Sequence, residues 1–226
     1  MLLHIPEVVS AEEVAECREA LRDAAWVDGR GTAGHLSASV KHNTQVHWQD
    51  PVAVRLGGMI SAKLERNPMF LSAALPSSIL PPLFNRYEAG GYYGPHLDGA
   101  IRPVDGTTRR IRTDLSITLM LSDPADYDGG ELRIVDMAGE RSVKLPAGDA
   151  ILYSASSIHH VTPVTRGARL AAFTWIQSMV RDDGDRTTLF QLDAAIQQLP
   201  PGQESDAVRL QLTNIYHNLL RRWADL

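Results

Sequence analysis

The tripeptide His96-Leu97-Asp98, the pair His159-His160 and Arg169 are the residues of this chain whose types and spacing could do redox chemistry. An imidazole and a carboxylate two positions apart on an extended strand share a face, because side chains alternate with a period of two. Leu97 between them is expected to point the other way, into the core. Joined by a second imidazole, such a pair can hold one face of an iron(II) ion and leave the other face open to small ligands. The second imidazole can be His159 or His160, and at most one of them, since neighbours on a strand face opposite sides. His159 shares parity with Val161 and is slightly favoured. His160 shares parity with Thr162, which reads as solvent-facing. Both can equally sit at a strand edge without a metal, and a His-x-Asp tripeptide alone arises often by chance.

Arg169 is the more telling residue. In the segment after Gly167, Arg169, Ala171, Phe173 and Trp175 share one strand face, an apolar face with a single permanent charge. A buried guanidinium needs a partner. A dicarboxylic acid bound on the open side of the iron would supply one through a bidentate pair. A protein carboxylate, or water at a strand end, would do so without any chemistry. The histidines and the aspartate shift the balance toward the bound acid, and toward an oxygen-activating enzyme.

These side chains need a frame to carry them. Ser10-Ala11-Glu12-Glu13 is a capping box that starts a helix with Val14, Cys17 and Leu21 on one face, running to Asp28-Gly29. Residues 29–38 read as a loop. Asp50 and Pro51 start a second helix carrying Val54, Met59, Ile60 and Leu64, and Asn67-Pro68 ends it. Gly90 to Pro95 form a pliant approach to His96. After Pro81-Pro82 come short strands at 83–87, 114–121, 131–135, 150–153, 161–164 and 170–176, punctuated by turns such as Gly129-Gly130 and Pro146-Ala147-Gly148-Asp149. In residues 114–121, Leu115, Ile117, Leu119 and Leu121 alternate with Ser116, Thr118 and Met120. Residues 188–199 and 205–223 return to helical spacing. The fold class expected is mainly β with flanking helices (α+β), built on a β-sandwich or jelly roll. Its divisions are an N-terminal helical support (1–77), the β core (78–182) and a C-terminal helical appendage (183–226).

Composition narrows the function class. The 226 residues are 44% hydrophobic and 22% charged, as in an average globular protein. A net charge of −5 argues against nucleic acid as a partner. No apolar run approaches the ~20 residues of a membrane helix, and the first residues do not read as a secretory signal. Cys17 stands alone, so no intrachain disulfide and no thiolate metal cluster can form. A cytoplasmic protein with neither nucleic-acid nor membrane partners is expected.

The run His159-His160-Val161-Thr162-Pro163-Val164-Thr165-Arg166-Gly167-Ala168-Arg169 resembles the closing motif of prolyl-hydroxylase-type iron(II)/2-oxoglutarate dioxygenases. Phe173-Thr174-Trp175-Ile176-Gln177-Ser178-Met179-Val180-Arg181-Asp182 resembles the bacterial PKHD-type hydroxylases more closely. So do Phe84-Asn85-Arg86-Tyr87, Asp114-Leu115-Ser116 and the stretch from Leu121-Ser122-Asp123-Pro124 to Gly129-Gly130-Glu131-Leu132. Asp28-Gly29-Arg30 and Thr32-Ala33-Gly34 fit the same pattern, so the resemblance spans most of the chain. It implies a double-stranded β-helix core, with His96, Asp98 and His159 as iron ligands. It selects His159 because the family's ligand stands two residues before the valine, and leaves His160 without a role. It implies Arg169 as the anchor of the far carboxylate of 2-oxoglutarate and Tyr87 as a cosubstrate contact. Met120 stands near where relatives often carry a further tyrosine.

The chemistry implied is hydroxylation of an unactivated C–H bond coupled to decarboxylation of 2-oxoglutarate to succinate, with ascorbate as reductant. The resemblance also carries an association with bacterial iron uptake. It names the oxidant and leaves open which small molecule or peptide is oxidised. The C-terminal helices are a candidate surface for homo-oligomerisation. Two alternatives remain: a non-catalytic jelly-roll module that binds or senses iron or a ligand, and a zinc hydrolase, which has no use for a dicarboxylate anchor. His4, His35, His42, His47 and His217 read as surface or packing residues.

Overall fold

The computed structural model describes all residues except 33, 105, 137, 138 and 226, and the side chains of these except at 35, 36 and 204. Among the described residues, an eight-stranded sheet forms the frame. Its order is Leu2–Ile5, Ala150–Ser154, Leu115–Met120, Ala168–Ser178, Leu83–Glu88, Thr44–Val46 and Trp26–Asp28, with Pro76–Ile79 also pairing with Ala168–Ser178. A smaller sheet faces it, ordered Gly139–Val143, Leu132–Asp136, Ile158–Val161, Tyr92–His96 and Lys41–His42. Among the described residues the paired strands run antiparallel, which gives the jelly roll the turn signals suggest.

The alternation in Leu115–Met120 explains how one strand serves two environments. Leu115, Ile117 and Leu119 pack against the helices, with Val14, Cys17 and Leu21 from Ala11–Arg22 and Leu56, Ile60 and Leu64 from Pro51–Leu64. Ser116 and Thr118 turn the other way and line a cavity between the sheets. Met120 joins Tyr87, Tyr127, Leu132, Ile134, Tyr153 and Val161 in a second core on that inner side. Burial on both faces makes the strand rigid, and the inner face can spend small polar residues on the site.

The first helix has both hydrogen bonds of the Ser10/Glu13 capping box but stops at Arg22; residues 26–28 form an edge strand paired with Thr44–Val46. Residues 29–38 are not an open loop: Gly29–Thr32 is a 3-10 turn and His35–Ala38 a short helix. The second helix ends at Leu64. Asn67-Pro68 starts a further helix, Pro68–Ala74, because the Asn67 side chain accepts from the Phe70 amide and proline suits the first turn. Residues 1–77 therefore give strands to both sheets besides the helices. The approach to His96 is a strand, Tyr92–His96.

The tail helices are Asp183–Gln197 and Gln203–Trp223. Leu189, Tyr216, Leu219, Leu220 and Trp223 pack on Leu75, Met179 and Val180, where the longest strand leaves the sheet. Buried Arg186 donates to the Val180 and Arg181 carbonyls at 2.6 and 2.7 Å. The amino group of Met1 pairs with Asp183 at 2.6 Å and joins the chain's start to the tail.

Candidate metal centre

His159 lies directly across the smaller sheet from His96, and the register shifts beyond that pair. This bulge lies next to the site, where the chain needs to re-aim a side chain. The strand ends at His96, so Asp98 reaches the same space from the following loop. Leu97 does not enter the core as strand alternation alone requires: it is 53% exposed, at the cavity rim. The candidate ligand atoms of His96, Asp98 and His159 lie within 4.8 Å of one another, and His159 Nε2 is 3.8 Å from Asp98 Oδ2.

Both imidazoles are oriented by their own backbone. His96 Nδ1–H donates to the Gly94 carbonyl at 2.8 Å and His159 Nδ1–H to the Ser157 carbonyl at 2.9 Å. Each bond fixes the tautomer that leaves the lone pair on Nε2, the form a metal needs. The Ser116 hydroxyl donates to Asp98 Oδ2 at 2.5 Å. The Tyr93 ring stacks on His96 with centroids 3.5 Å apart, and Tyr153 meets His159 edge-on at 5.1 Å. Burial, then the neighbouring His159, pushes the His96 pKa down to about 4, so its imidazole is neutral at physiological pH. His160 faces outward, with Nε2 3.8 Å from Glu140 on the strand edge.

Arg169 occupies the inner end of the same cavity, 2% exposed. Its Nε and Nη1 have no hydrogen-bond partner, Nη2 lies 3.7 Å from the Met120 sulfur, and the Tyr127 hydroxyl interacts with the guanidinium. Among the described residues no carboxylate forms an ion pair with it, which removes the structural salt bridge as its explanation. Tyr87 is its partner in the strand register, with the guanidinium carbon 5.4 Å from the ring centroid. Tyr87, Tyr127 and Tyr153 have hydroxyl pKa values raised by burial, and the Arg169 charge opposes the rise in each. Tyr87 and Tyr153 from other strands, and Tyr127 from the turn after Pro124–Asp126, thus lie around the guanidinium, where Met120 stands in place of the expected tyrosine. The turn that delivers Arg169 depends on Gly167: φ is +68°, and a Cβ there would lie 2.0 Å from the Asp126 carbonyl oxygen.

Comparison with known proteins agrees with this geometry. Residues 82–177 match the 2OG-Fe(II) oxygenase superfamily model, and residues 183–225 match the PKHD-type hydroxylase C-terminal domain. A PKHD-type hydroxylase of Burkholderia cenocepacia (strain HI2424) is 58% identical over 226 residues, all of both chains. The chain belongs to the PKHD-type hydroxylase family. It is accordingly an iron(II)/2-oxoglutarate-dependent dioxygenase. Two solved structures show the same fold. One is a prolyl hydroxylase in complex with a hypoxia inducible factor peptide fragment from Trichoplax adhaerens (TM-score 0.56, 12% identity, 83% of this chain and 86% of that one). The other is HygX from Streptomyces hygroscopicus with nickel and 2-oxoglutarate bound (TM-score 0.53, 17% identity, 79% and 84%).

The hydroxylase's cavity has a second polar end that the sequence does not announce. Lys41, 4% exposed, donates to Thr32 Oγ1 at 2.9 Å, and Thr32 Oγ1 donates to Gln45 Oε1 at 2.6 Å. Burial, then the nearby Arg102 charge, lowers the Lys41 pKa to about 8. Arg102 comes from a hairpin, Ile101–Pro103 with Arg110–Arg112, and stacks on Trp175 with its guanidinium carbon 3.6 Å from the ring centroid. Gln45 and Asn85 are register partners on this wall. Of the remaining histidines, His4 binds Asp149 at 2.7 Å, while His42, His47 and His217 lie against Tyr92, Trp48 and Tyr216. The side chain of His35 lies outside the described residues.

Proposed function

We propose that His96, Asp98 and His159 hold iron(II) and that Arg169, with Tyr87 beside it, anchors 2-oxoglutarate by its far carboxylate. In this reading the enzyme hydroxylates a C–H bond of a small molecule or peptide, consuming dioxygen and converting 2-oxoglutarate to succinate and carbon dioxide. Arg169 is the observation that carries it. A guanidinium buried without a carboxylate costs several kcal/mol unless something repays it, and the repayment fits a dicarboxylate whose other end reaches the triad. The donor set of two neutral imidazoles and one carboxylate suits iron(II).

When bound, the iron supplies the activation of dioxygen that makes C–H hydroxylation accessible. The protein's part is orientation and exclusion of water. The backbone bonds to both Nδ1 atoms hold the imidazoles in the ligating tautomer, and the Ser116 hydroxyl holds the Asp98 carboxylate in place. The Arg169 guanidinium, whose Nε and Nη1 have no partner, offers one edge of its planar fork to the far carboxylate, which fixes the keto acid in one orientation. Tyr93 and Tyr153 cover the imidazoles and keep solvent from them. Ascorbate is the proposed reductant that sustains turnover. The proposed association with iron uptake is tested by growth of a deletion strain under iron limitation.

The direct test is succinate formation from 2-oxoglutarate under air, with and without iron(II). Formation that needs iron(II) and is lost in His96→Ala and Asp98→Ala supports the assignment. Succinate production that persists in both variants refutes it.

A further inference from the structure

The buried ammonium of Lys41 lines the cavity but belongs neither to the triad nor to the proposed cosubstrate anchor. It donates to Thr32 Oγ1 at 2.9 Å, and among the described residues no carboxylate forms an ion pair with it. It also lies over the Tyr93 ring, 5.0 Å from the centroid. The same ring stacks on His96, with centroids 3.5 Å apart. One tyrosine thus carries both a fixed cation and a candidate metal ligand, and the two lie within about 9 Å of each other.

The strands build this arrangement. Lys41–His42 pairs with Tyr92–His96, so Lys41 stands opposite Tyr93 and His42 opposite Tyr92. Gly94 lets the two segments close up: a Cβ there would lie 2.9 Å from Val40 Cβ, and its amide donates to the Val40 carbonyl at 2.8 Å. The Gly94 carbonyl also accepts from His96 Nδ1. One residue therefore orients the ligand imidazole and seats the lysine strand beside it.

Packing alone does not call for a lysine here. Methionine would fill the space over Tyr93 without the cost of burying an ammonium. What only lysine supplies is the charge, and the charge reaches the triad. Burial and the His159 charge lower the His96 pKa most, and the Lys41 charge adds to them. Asp98 leads the groups that oppose the burial-driven fall of the Lys41 pKa. At on the order of 10 Å and an effective dielectric of about 20, a fixed unit charge disfavours each further positive unit at the triad by roughly tenfold. Iron(III) carries one unit more than iron(II).

We propose that Lys41, held over the Tyr93 ring, keeps a positive charge beside the centre and so favours iron(II) over iron(III) there. It is a positioning residue and not a metal ligand. The proposal rests on the reading of His96, Asp98 and His159 as the iron site.

The test is an anaerobic redox titration of the iron-loaded protein at pH 7 in the wild type, Lys41→Met, Lys41→Gln and Lys41→Arg. Both neutral variants should favour iron(III) at least about tenfold more than the wild type does, a fall in potential of about 59 mV per tenfold for one electron. Lys41→Arg should stay within about threefold of the wild type. Lys41→Gln keeps a donor for Thr32 and so separates loss of that hydrogen bond from loss of charge. Iron(II) should bind the neutral variants at least as tightly as the wild type, because a repulsion is gone; a lysine that only supports the fold would loosen it on removal. A ratio unchanged within about threefold in both neutral variants overturns the proposal. So does an equal fall in Lys41→Arg, or neutral variants that fold but no longer hold iron. Failure of both neutral variants to fold overturns it too, by making Lys41 structural. A wild type that binds no iron(II) condemns the underlying site reading instead.

Discussion

Replacing Arg169 by methionine separates a cosubstrate anchor from a structural arginine, because the two roles predict opposite signs for stability. The guanidinium is buried, and Nε and Nη1 have no partner. Removing it deletes an uncompensated buried charge and puts an apolar chain of similar length beside Met120 and Tyr87. The protein without cosubstrate should therefore be as stable as the wild type or more stable, by about 1–3 kcal/mol. For a chain of this size that raises Tm by several degrees at roughly 2–4 °C per kcal/mol. Cosubstrate binding should fall at the same time. A bidentate charge-assisted pair lost from a buried site costs about 3–5 kcal/mol, or about 10²- to 10⁴-fold in affinity. Thermal unfolding of the cosubstrate-free protein and anaerobic 2-oxoglutarate titration measure the two effects separately. A variant that is destabilised while its 2-oxoglutarate affinity stays within about threefold refutes the reasoning.

Ser116→Ala removes the hydroxyl that positions Asp98 and should weaken iron(II) binding by about 10- to 100-fold, read by titrating iron(II) at saturating 2-oxoglutarate. Gly167→Ala combines a left-handed backbone with a clash against the Asp126 carbonyl; it should cost more than about 2 kcal/mol in denaturant unfolding and weaken 2-oxoglutarate binding by displacing Arg169. The Lys41 pKa is lowered from 10.5 to about 8, so the unfolded chain binds more protons between those values. Its contribution to stability therefore rises with pH over that window, by on the order of 2–3 kcal/mol. Lys41→Met should lack this rise when unfolding is followed from pH 7 to 10.5, and a variant that tracks the wild type contradicts the assignment.

Arg169 was legible in the sequence because a permanent charge among Ala171, Phe173 and Trp175 breaks an apolar alternation, and such a break shows within one strand. His96 and Asp98 were legible as a pair, though through a strand end and loop rather than a continuous strand, which is why Leu97 turns outward. The alternation in residues 115–120 was readable for the same reason, two faces meeting two environments. Lys41, Gln45, Asn85 and Arg102 were not legible as a group. They lie in separate segments, and only the register of two sheets and a hairpin brings them to one wall. The Trp26–Asp28 edge strand is too short for any periodicity to form, and its pairing with Thr44–Val46 is a tertiary fact. Asn67-Pro68 carries one local signal with two meanings, since proline stops one helix as readily as it starts the next.

The most direct measurement of the central claim is the visible spectrum of the anaerobic protein with iron(II) and 2-oxoglutarate. A metal-to-ligand charge-transfer band in the wild type, absent from the His96→Ala/Asp98→Ala double variant, is the expected result. No band in the wild type, or an undiminished band in the double variant, contradicts the account.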